Sequence, residues 1–295
     1  MICFPNAKIN IGLNILRKRE DGYHDIESVM YPLKEILYDA LEIITPPLPS
    51  PKERETELYI SGIPVQGGKE NNLCVKAYEM LKKDFNLPPV KIYLHKAIPM
   101  GAGLGGGSAD GAFMLKLLND EFELKLSEKK LMSYASKLGS DCPFFIRNEA
   151  ALVTGRGSCL TPYPSPKERG ESHEHKPFLS GYYIVVIYPN IHVSTAEAYG
   201  EWDKGQGASD KEQGTLNNLI KLPIEKWKNT IVNDFEAPVF KKHPVLKKIK
   251  EKLYSLGAVY ASMSGSGSAV YGIFEKEVKV KKQFKKFNVW DGKLT

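Results

Sequence analysis

The stretch "PMGAGLGGGSADGA", residues 99–112, contains six glycines within fourteen residues and leads into an apolar segment. A glycine-rich turn that opens a helix presents backbone N–H groups and the positive end of the helix dipole, which together bind phosphate. Glycine loses more conformational entropy on folding than any other residue, so packing alone seldom requires so many. The stretch therefore predicts a phosphate-binding loop followed by a helix over about 108–118.

Glycines at this spacing also occur in loops other than this kind of phosphate-binding loop. Gly101, Gly103 and Gly106 satisfy the G-x-G-x-x-G spacing of dinucleotide-binding folds. That fold places a buried, wholly apolar strand before the glycines, whereas residues 90–95 alternate between apolar and polar. The standard P-loop is excluded because no Gly-Lys-Ser/Thr follows. A glycine-rich turn without any ligand remains the structural alternative.

A second small-residue segment, "MSGSGSAVYGIF" (263–274), lies between two predicted strands. Alone, it is equally typical of a tight hairpin. Two such segments in one chain, together with an isolated strand lysine, favour a nucleotide site. The segment contributes four candidate residues, namely Ser264, Gly265, Ser266 and Gly267.

The isolated lysine comes from the first predicted strand. Residues 8–15 alternate between polar and apolar, a period of two that predicts a half-buried strand. Lys8 and Asn10 then lie on the same, polar face of that strand.

Composition bounds the class of protein. The chain has 295 residues, of which 42% are hydrophobic and 26% charged, as expected for one or two soluble globular domains. The net charge of +6 is concentrated in the last part of the chain, in "KKHPVLKKIKEK" and "KEVKVKKQFKKF", which we interpret as solvated helix faces. These segments match no known nucleic-acid motif, so we expect no nucleic-acid partner.

Cysteine usage and hydropathy indicate a compartment. Cysteines 3, 74, 142 and 159 include no C-x-x-C pair, which favours reduced thiols over a disulfide framework or a zinc site. The first residues lack the features of a signal peptide, and no run approaches the ~18 apolar residues of a membrane span. We expect a cytoplasmic protein without a membrane partner; nothing in the sequence indicates its oligomeric state.

The order of predicted elements favours an α+β fold in two lobes. Strands and helices mix without regular βαβ alternation, and a helix is predicted over 128–138, with Ser127 as its N-cap and Gly139 as its stop. The hexapeptide P-S-P-K-E-R occurs twice, within 47–56 and 162–175, in aperiodic segments that we interpret as exposed loops. The predicted lobes are 1–160, which carries the glycine-rich loop, and 176–295, with a mobile loop at 161–175 between them.

Five segments together resemble a known family. They are "NAKINIGLNILRKREDGYHDIESVM", "PMGAGLGGGSADGA", "LGSDCPFF", "NDFE" and "GAVYASMSGSGSAVYGIF". In this order they are similar to the signature blocks of the 4-diphosphocytidyl-2-C-methyl-D-erythritol kinases, within the superfamily of galactokinase, homoserine kinase, mevalonate kinase and phosphomevalonate kinase. The resemblance runs from about residue 4 to 274, and only the two P-S-P-K-E-R loops are unmatched.

The resemblance implies a reaction and a fold. ATP would phosphorylate the 2-hydroxyl of the methylerythritol moiety, a step of the non-mevalonate isoprenoid pathway. An N-terminal lobe would carry the ATP loop, a ferredoxin-like C-terminal lobe would follow, and the substrate would lie in a cleft.

Two residues are candidates for the chemistry. Phosphorylation of an alcohol requires that its proton be accepted and that the charge on the phosphates be offset. Asp141 precedes a helix that has a proline in its first turn, where a carboxylate is favoured in its ionised form, and is the candidate base. Lys8 is the candidate for the charge and would also hold Asp141 deprotonated. The alternatives are a capping aspartate and a solvated strand lysine.

The resemblance also implies binding residues. The ATP site would comprise Asn72 and Lys96 near the adenine and, along the loop, Pro99, Met100, Gly101, Ala102, Gly103, Leu104, Gly105, Gly106, Gly107, Ser108, Ala109 and Asp110. The substrate site would comprise Asn10, Tyr23, His24, Thr195 and Tyr199, with Tyr23 stacking on the cytosine ring and His24 bonding to it. Mg²⁺ is expected with ATP, but the sequence identifies no metal ligand.

Two other functions remain open at this level. One is a small-molecule kinase of the same superfamily with another substrate, against which stands the "DGYH" turn paired with "HVSTAEAY" as a recognition set for a flat base. The other is a nucleotide-binding protein without catalysis, against which stands the presence of both Lys8 and Asp141.

Overall fold

The computed structural model describes residues 1–45, 56–65, 67–157, 159–164, 178–205 and 214–295. Nearly all of both P-S-P-K-E-R segments lies outside these ranges. The expectation that they form exposed loops therefore stays a prediction. None of the helices within the described ranges is long and apolar enough to cross a membrane.

The described residues form strands and helices in a mixed order. The strands are β1 (Ile2–Cys3), β2 (Asn6–Lys18), β3 (His24–Tyr38), β4 (Ala40–Ile44), β5 (Glu57–Gly62), β6 (Lys91–Lys96), β7 (Ala151–Gly155), β8 (Cys159–Pro162), β9 (Tyr183–Tyr188), β10 (Tyr260–Met263), β11 (Val270–Phe274) and β12 (Asn288–Lys293). The α-helices are α1 (Leu73–Phe85), α2 (Gly106–Glu121), α3 (Glu128–Leu138), α4 (Cys142–Arg147), α5 (Thr195–Gly205), α6 (Thr215–Leu219), α7 (Glu236–Lys242) and α8 (Pro244–Ser255). Short 3₁₀ helices lie at Lys69–Asn71 and Ile224–Asn229. The predicted α+β class is confirmed.

The chain folds into two compact units whose segments interleave. Unit 1 comprises Met1–Ala7, Leu37–Met100 and Gly105–Asn148, and unit 2 comprises Lys8–Ile36, Gly101–Leu104 and Glu149–Thr295. This division differs from contiguous lobes because most of β2 and β3, although early in the chain, is paired into a sheet with β7 and β8. The lobe boundaries 1–160 and 176–295 stay a prediction.

Unit 1 combines one sheet with four helices. The strand order is β1-β4-β6-β5, in which β5 runs parallel to β6 and the other pairs are antiparallel. Strand β6 alternates between buried and less buried residues as predicted, and α1, α2, α3 and α4 pack on one another. The predicted helix after the glycines is confirmed as α2. Helix α3 has its predicted bounds and is capped by the Ser127 side chain, with Gly139 directly after it.

Unit 2 contains two sheets. One has the order β2-β3-β7-β8 and the other has the antiparallel order β10-β11-β9-β12, with α8 packed on β10 and β11. Four segments rich in β-branched and aromatic residues are typical of strands and form β7, β9, β10 and β11, namely "AALVTG", "GYYIVVIYPN", "AVYASM" and "AVYGIF". The hydrophobic core of this unit joins residues of the second sheet to Trp202, Phe235 and Leu253.

The prediction that β2 is half-buried is wrong. Every residue of β2 from Asn6 to Leu16 is buried, including Lys8, Asn10 and Asn14. Polar and apolar residues do alternate along β2, but hydrogen-bonding partners, instead of water, cover the polar face. A buried polar side chain requires such partners, so the polar residues of β2 are held in fixed positions.

The prediction of a basic helix after β11 is also wrong. Residues 275–287 form bends and turns before β12, with i to i+3 hydrogen bonds at Gln283 and Phe287. Lys281 and Lys285 would lie four residues apart on one helix face, where like charges repel. Val280 and Phe284 are instead buried in the core of unit 2.

Candidate active site

The glycine-rich stretch owes its path to left-handed backbone conformations. Gly101, Gly103 and Gly105 have φ of +65°, +76° and +73°, values that favour glycine. Gly105 is the N-cap of α2, so the N–H groups of the first helical turn are the unpaired ones that an anion accepts. Of the other predicted loop residues, Pro99, Ala102 and Leu104 are buried, Met100 is exposed, and Gly106, Gly107, Ser108, Ala109 and Asp110 lie in the first turns of α2.

Gly103 brings the two small-residue loops of unit 2 together. Its carbonyl oxygen accepts a hydrogen bond from Ser264 Oγ at 2.8 Å, and a Cβ on Gly103 would lie 1.9 Å from the Ser264 carbonyl oxygen. Ala269 N donates to the Ala102 carbonyl at 3.0 Å. The loop between β10 and β11 is thus a hairpin, which was one of the two predictions for this segment. It is also hydrogen-bonded to residues 102 and 103.

Lys8 is built into the same junction. Its backbone N–H donates to the Leu104 carbonyl at 2.9 Å, and its Nζ donates to the Gly103 carbonyl at 3.0 Å and to Asn10 Oδ1. Lys8 is 3% exposed. The alternative of a solvated strand lysine is therefore wrong, because a buried ammonium needs the oxygen acceptors that Gly103 and Asn10 supply.

Asn10 links β2 to its neighbours in unit 2. Its Nδ2 donates to Ser28 Oγ at 2.8 Å, and its backbone N–H donates to Ser264 Oγ at 3.1 Å. Ser28 Oγ donates in turn to the Gly12 carbonyl at 2.6 Å. The side chain of Asn10 is therefore fixed in orientation beside Lys8.

Asp141 begins α4 in unit 1. It occupies the N-cap position, with a proline within the first turn as predicted, but its side chain makes no capping hydrogen bond. The next residue, Cys142, is buried and hydrogen-bonds with Ser108 in the first turn of α2, and burial raises the pKa of the Cys142 thiol to about 12. The alternative in which Asp141 serves only to cap the helix is thus unsupported.

Lys96 lies at the centre of a buried charge cluster in unit 1. Its Nζ donates to Asp110 Oδ2 at 2.6 Å and to Asp39 Oδ2. Asp39 Oδ1 also accepts the backbone N–H groups of Ala97 and Ile98, at 2.6 and 2.8 Å. The ammonium is therefore enclosed by carboxylates, and sequence reasoning missed Asp39 because it follows β3, far along the chain.

Burial and the neighbouring charges shift the pKa values of Lys96 and Asp110. Burial acts to lower the pKa of Lys96, but Asp110 and Asp39 outweigh it and hold that pKa above its usual value. Burial raises the pKa of Asp110 well above its usual range; the Asp39 carboxylate adds to this, and Lys96 opposes it. Asp110 Oδ1 is buried without a hydrogen-bond partner among the described residues.

Asn72, the other residue expected near adenine, is the N-cap of α1. Its Oδ1 accepts the backbone N–H of Cys74 at 2.9 Å. The cap engages the side-chain oxygen, which leaves the amide N–H₂ of Asn72 as its remaining donor.

The "DGYH" turn presents one aromatic ring to solvent and buries the other. Tyr23 is 55% exposed, and the Arg156 guanidinium lies 3.5 Å from the centroid of its ring. The guanidinium lies over the face of the ring, in the geometry of a cation–π contact. Arg156 belongs to the Gly-Arg-Gly turn after β7, and no sequence signal links it to Tyr23.

His24 packs against helix α5 within unit 2. The ring of Tyr199 stacks on the His24 ring at a centroid distance of 4.6 Å and an angle of 14°. His24 Nε2 lies 2.8 Å from Asp203 Oδ1. Thr195 Oγ1, at the start of α5, lies 3.0 Å from Ser266 Oγ of the second glycine loop. The structure thus brings His24 to Tyr199 and Thr195 to Ser266, whereas Asp203 carried no recognisable signal because it is 179 residues from His24.

Family models match both parts of the chain. The N-terminal domain of the GHMP kinases matches residues 72–149, and the C-terminal domain of the same kinases matches residues 216–288. A 4-diphosphocytidyl-2-C-methyl-D-erythritol kinase of Parabacteroides distasonis is 46% identical over 297 residues, covering 100% of both chains. The chain belongs to this family of GHMP kinases.

Further proteins of known family are similar to this chain. The enzyme of the same name from Bacteroides thetaiotaomicron is 49% identical, with 94% of this chain and 93% of that protein covered. A crystal structure of 4-(cytidine 5'-diphospho)-2C-methyl-D-erythritol kinase is 27% identical, with a TM-score of 0.72 and 99% and 98% of the two chains covered. The mevalonate kinase of Methanococcus jannaschii, 16% identical with a TM-score of 0.70 over 100% of this chain and 98% of that one, shares the fold of this family member.

The close contact between Gly103 and Ser264 predicts the effect of a substitution on stability. We expect Gly103→Ala to lower the free energy of unfolding by about 1–3 kcal/mol, because the added methyl would meet the Ser264 carbonyl in a left-handed conformation. Gly107→Ala is the matched control: it has open space around its Cβ and lies inside α2, so alanine should stabilise by up to about 1 kcal/mol. Urea denaturation measures both, and equal effects would contradict the packing described.

The Lys96 cluster makes a prediction about pH. A carboxyl whose folded-state pKa is raised contributes stability that is full below its ordinary pKa of 3.8 and is lost as the pH rises through the folded-state pKa. Asp110→Asn removes this loss, so we expect the variant to gain stability relative to the native protein as the pH rises from 5 to 8. Denaturation at both pH values tests this, with the exposed Asp120→Asn as control; a difference that is constant with pH for Asp110→Asn would count against the raised pKa.

Proposed function

We propose that this protein transfers the γ-phosphoryl group of ATP to the 2-hydroxyl of 4-diphosphocytidyl-2-C-methyl-D-erythritol, which yields the 2-phosphate and ADP in the non-mevalonate isoprenoid pathway. The observation that carries the proposal is the junction of the two glycine-rich loops around Lys8, in a chain similar over its full length to kinases that bear this substrate's name. The cytoplasmic location, the absence of a nucleic-acid partner and the residue roles below are part of the same proposal.

The phosphates of ATP bind along residues 99–110. Three left-handed glycines turn the chain so that backbone N–H groups converge, and α2, sixteen residues long, adds the positive end of its dipole. The second loop, 264–267, supports the first through the Ser264–Gly103 hydrogen bond. Side chains beyond hydrogen at Gly103 would force the two loops apart.

Lys8 stabilises the transferring phosphoryl group. Its ammonium is buried and held by two oxygen acceptors, so it is preorganised and needs little rearrangement to meet developing negative charge. Asn10, itself fixed by Ser28, keeps Lys8 in place and binds substrate.

Asp141 accepts the proton of the 2-hydroxyl. A tertiary alcohol is a poor nucleophile at neutral pH, so a positioned carboxylate lowers the barrier to its attack. The Asp141 side chain is not engaged in capping α4, and the hydrogen bond between Cys142 and Ser108 connects the start of α4 to the start of α2. The proton moves from the hydroxyl to the Asp141 carboxylate as the new P–O bond forms.

The cytosine ring binds at the "DGYH" turn. Tyr23, whose ring contacts Arg156, stacks on the cytosine, and His24 hydrogen-bonds to the base. Thr195 and Tyr199 complete the substrate site from α5. Tyr199 already stacks on His24, so it supports the imidazole as well as lining the site.

The adenine ring binds near Asn72 and Lys96. Asn72 keeps its amide N–H₂ group as a donor, whereas Lys96 is enclosed by Asp39 and Asp110. Asn72 is therefore the better supported contact to adenine. Lys96 acts on ATP indirectly, because its bond to Asp110 helps to position α2.

Mg²⁺ accompanies ATP. The described residues contain no group of three or more His, Cys, Asp or Glu side chains that could hold a metal ion. Mg²⁺ in kinases is commonly held by the nucleotide phosphates with one or two carboxylates and water, and it would neutralise phosphate charge there. We assign it no ligand in this chain.

Substrate specificity provides a test. With Mg²⁺-ATP, the purified protein should phosphorylate 4-diphosphocytidyl-2-C-methyl-D-erythritol and leave free methylerythritol nearly untouched, because the cytosine supplies the binding energy. Galactose, homoserine and mevalonate are the control acceptors for other kinases of the superfamily. ADP release measured for each acceptor decides, and equal turnover of the two methylerythritol compounds would contradict the proposal.

Substitutions of Asp141 and Lys8 test the mechanism. We expect Asp141→Asn to reduce kcat by about 10²–10⁴-fold with little effect on substrate affinity, and Lys8→Ala also to reduce kcat. If both act in one transition state, the double variant should lose less than the product of the single losses. Single-turnover phosphoryl transfer measures the rates, with the exposed Asp120→Asn and Lys83→Ala as controls. A folded Asp141→Asn protein that keeps more than about a tenth of the native rate would exclude Asp141 as the base.

A further inference from the structure

Helix α5 holds the His24 ring in one orientation. His24 is 7% exposed; Tyr199 stacks on one face, and the Trp202 ring meets it edge-on at 5.6 Å and 88°. The imidazole therefore cannot exchange its nitrogens by turning over without displacing Tyr199.

One ring nitrogen is engaged by a carboxylate. Nε2 lies 2.8 Å from Asp203 Oδ1, and Asp203 Oδ2 lies 2.5 Å from Lys18 Nζ. Partial burial acts to raise the pKa of Asp203, but the hydrogen bonds from Lys18 and His24 outweigh it and hold this pKa below its usual value. Asp203 is thus ionised at neutral pH, and an ionised carboxylate only accepts hydrogen bonds.

The proton of a neutral His24 is consequently located. If Asp203 can only accept, Nε2 must carry the hydrogen, and Nδ1 is left with its lone pair. Within the part of the chain that the structure describes, the hydrogen bond of the His24 ring is the one at Nε2, so Nδ1 is left for a ligand. Lys18 Nζ, 2.5 Å from Asp203 Oδ2, offsets the charge of this carboxylate.

We propose that Asp203 is a positioning residue that holds His24 in the Nε2–H form and so presents Nδ1 as a hydrogen-bond acceptor that selects cytosine over uracil. This rests on the proposed function, in which His24 contacts the base. The argument parallels metal sites, where the partner of one imidazole nitrogen decides what the other can bind.

The two pyrimidines differ where this acceptor would act. The 4-position of cytosine carries an amino group, which donates, whereas the same position of uracil carries a carbonyl oxygen, which only accepts. An acceptor at Nδ1 pairs with the amino group and is repelled by the carbonyl. A site built to pair one group rejects the analogue that leaves a buried polar atom unpaired.

Binding of CDP and UDP to the full-length protein tests the proposal. By calorimetry we expect the native protein to prefer CDP, and Asp203→Asn to reduce the ratio of the two affinities by about tenfold. An Asn amide can donate to Nε2 and so allow the proton to move to Nδ1. Asp203→Glu should restore most of the preference. Glu201→Gln, which removes a neighbouring charge paired with Lys204 on the same helix, should leave the ratio unchanged.

The location of the proton is measured directly from the ¹⁵N chemical shifts of His24 in histidine-labelled protein. We expect protonated Nε2 and bare Nδ1 in the native protein and a shift toward Nδ1–H in Asp203→Asn. A native His24 protonated on Nδ1 alone overturns the proposal, whether or not Asp203→Asn folds. An unchanged CDP-to-UDP ratio in folded Asp203→Asn overturns it as well.

The outcomes also separate this inference from the proposed function. If the native protein phosphorylates the cytidine substrate but the ratio of CDP to UDP affinity does not depend on Asp203, only the role of Asp203 is refuted. Native protein that prefers CDP in an Asp203-dependent way, but transfers no phosphoryl group to the cytidine substrate, supports the role of Asp203 and refutes the proposed reaction.

Discussion

The carbonyl group of Gly103 is the point on which the candidate site depends. It accepts hydrogen bonds from the Ser264 hydroxyl and from the Lys8 ammonium, while the Ser264 backbone lies where a Cβ would be. A glycine is therefore required for a steric reason as well as for its positive φ. The same contact holds the hairpin between β10 and β11 against residues 101–104, so this part of the glycine-rich stretch, the buried Lys8 and the hairpin form one assembly within unit 2.

Buried charge is the second feature that organises the molecule. Each buried ionisable group discussed above has a specific partner: Lys96 has Asp39 and Asp110, Lys8 has Asn10 and Gly103, and His24 has Asp203. Desolvation makes such groups costly unless they are paired, so the folded chain tolerates them only where hydrogen bonds fix their geometry. That requirement explains why β2 is buried on both faces although it has the alternating sequence of a half-exposed strand.

Much of the local structure could be predicted from the sequence. The helix after the glycines, the capping of α3 by Ser127, and the strands β7, β9, β10 and β11 follow from periodicity and terminal signals that act within a few residues. The predictions that were wrong share a cause. The exposed face expected for β2 and the helix expected near Lys281 were both inferred from neighbours in the chain, whereas hydrogen-bonding partners from elsewhere in the chain cover the polar face of β2.

The sequence by itself determined that a glycine-rich loop opens a helix, that a second small-residue loop joins two strands, and that the chain resembles one kinase family, because these features consist of residue types at short and fixed spacings. Only the tertiary structure decided which side chains meet: Ser264 with Gly103, Arg156 with Tyr23, Asp39 with Lys96, and Asp203 with His24. A hydrogen bond or a stacked ring depends on positions within a few tenths of an ångström, and these are set by the packing of strands and helices that are far apart in the chain.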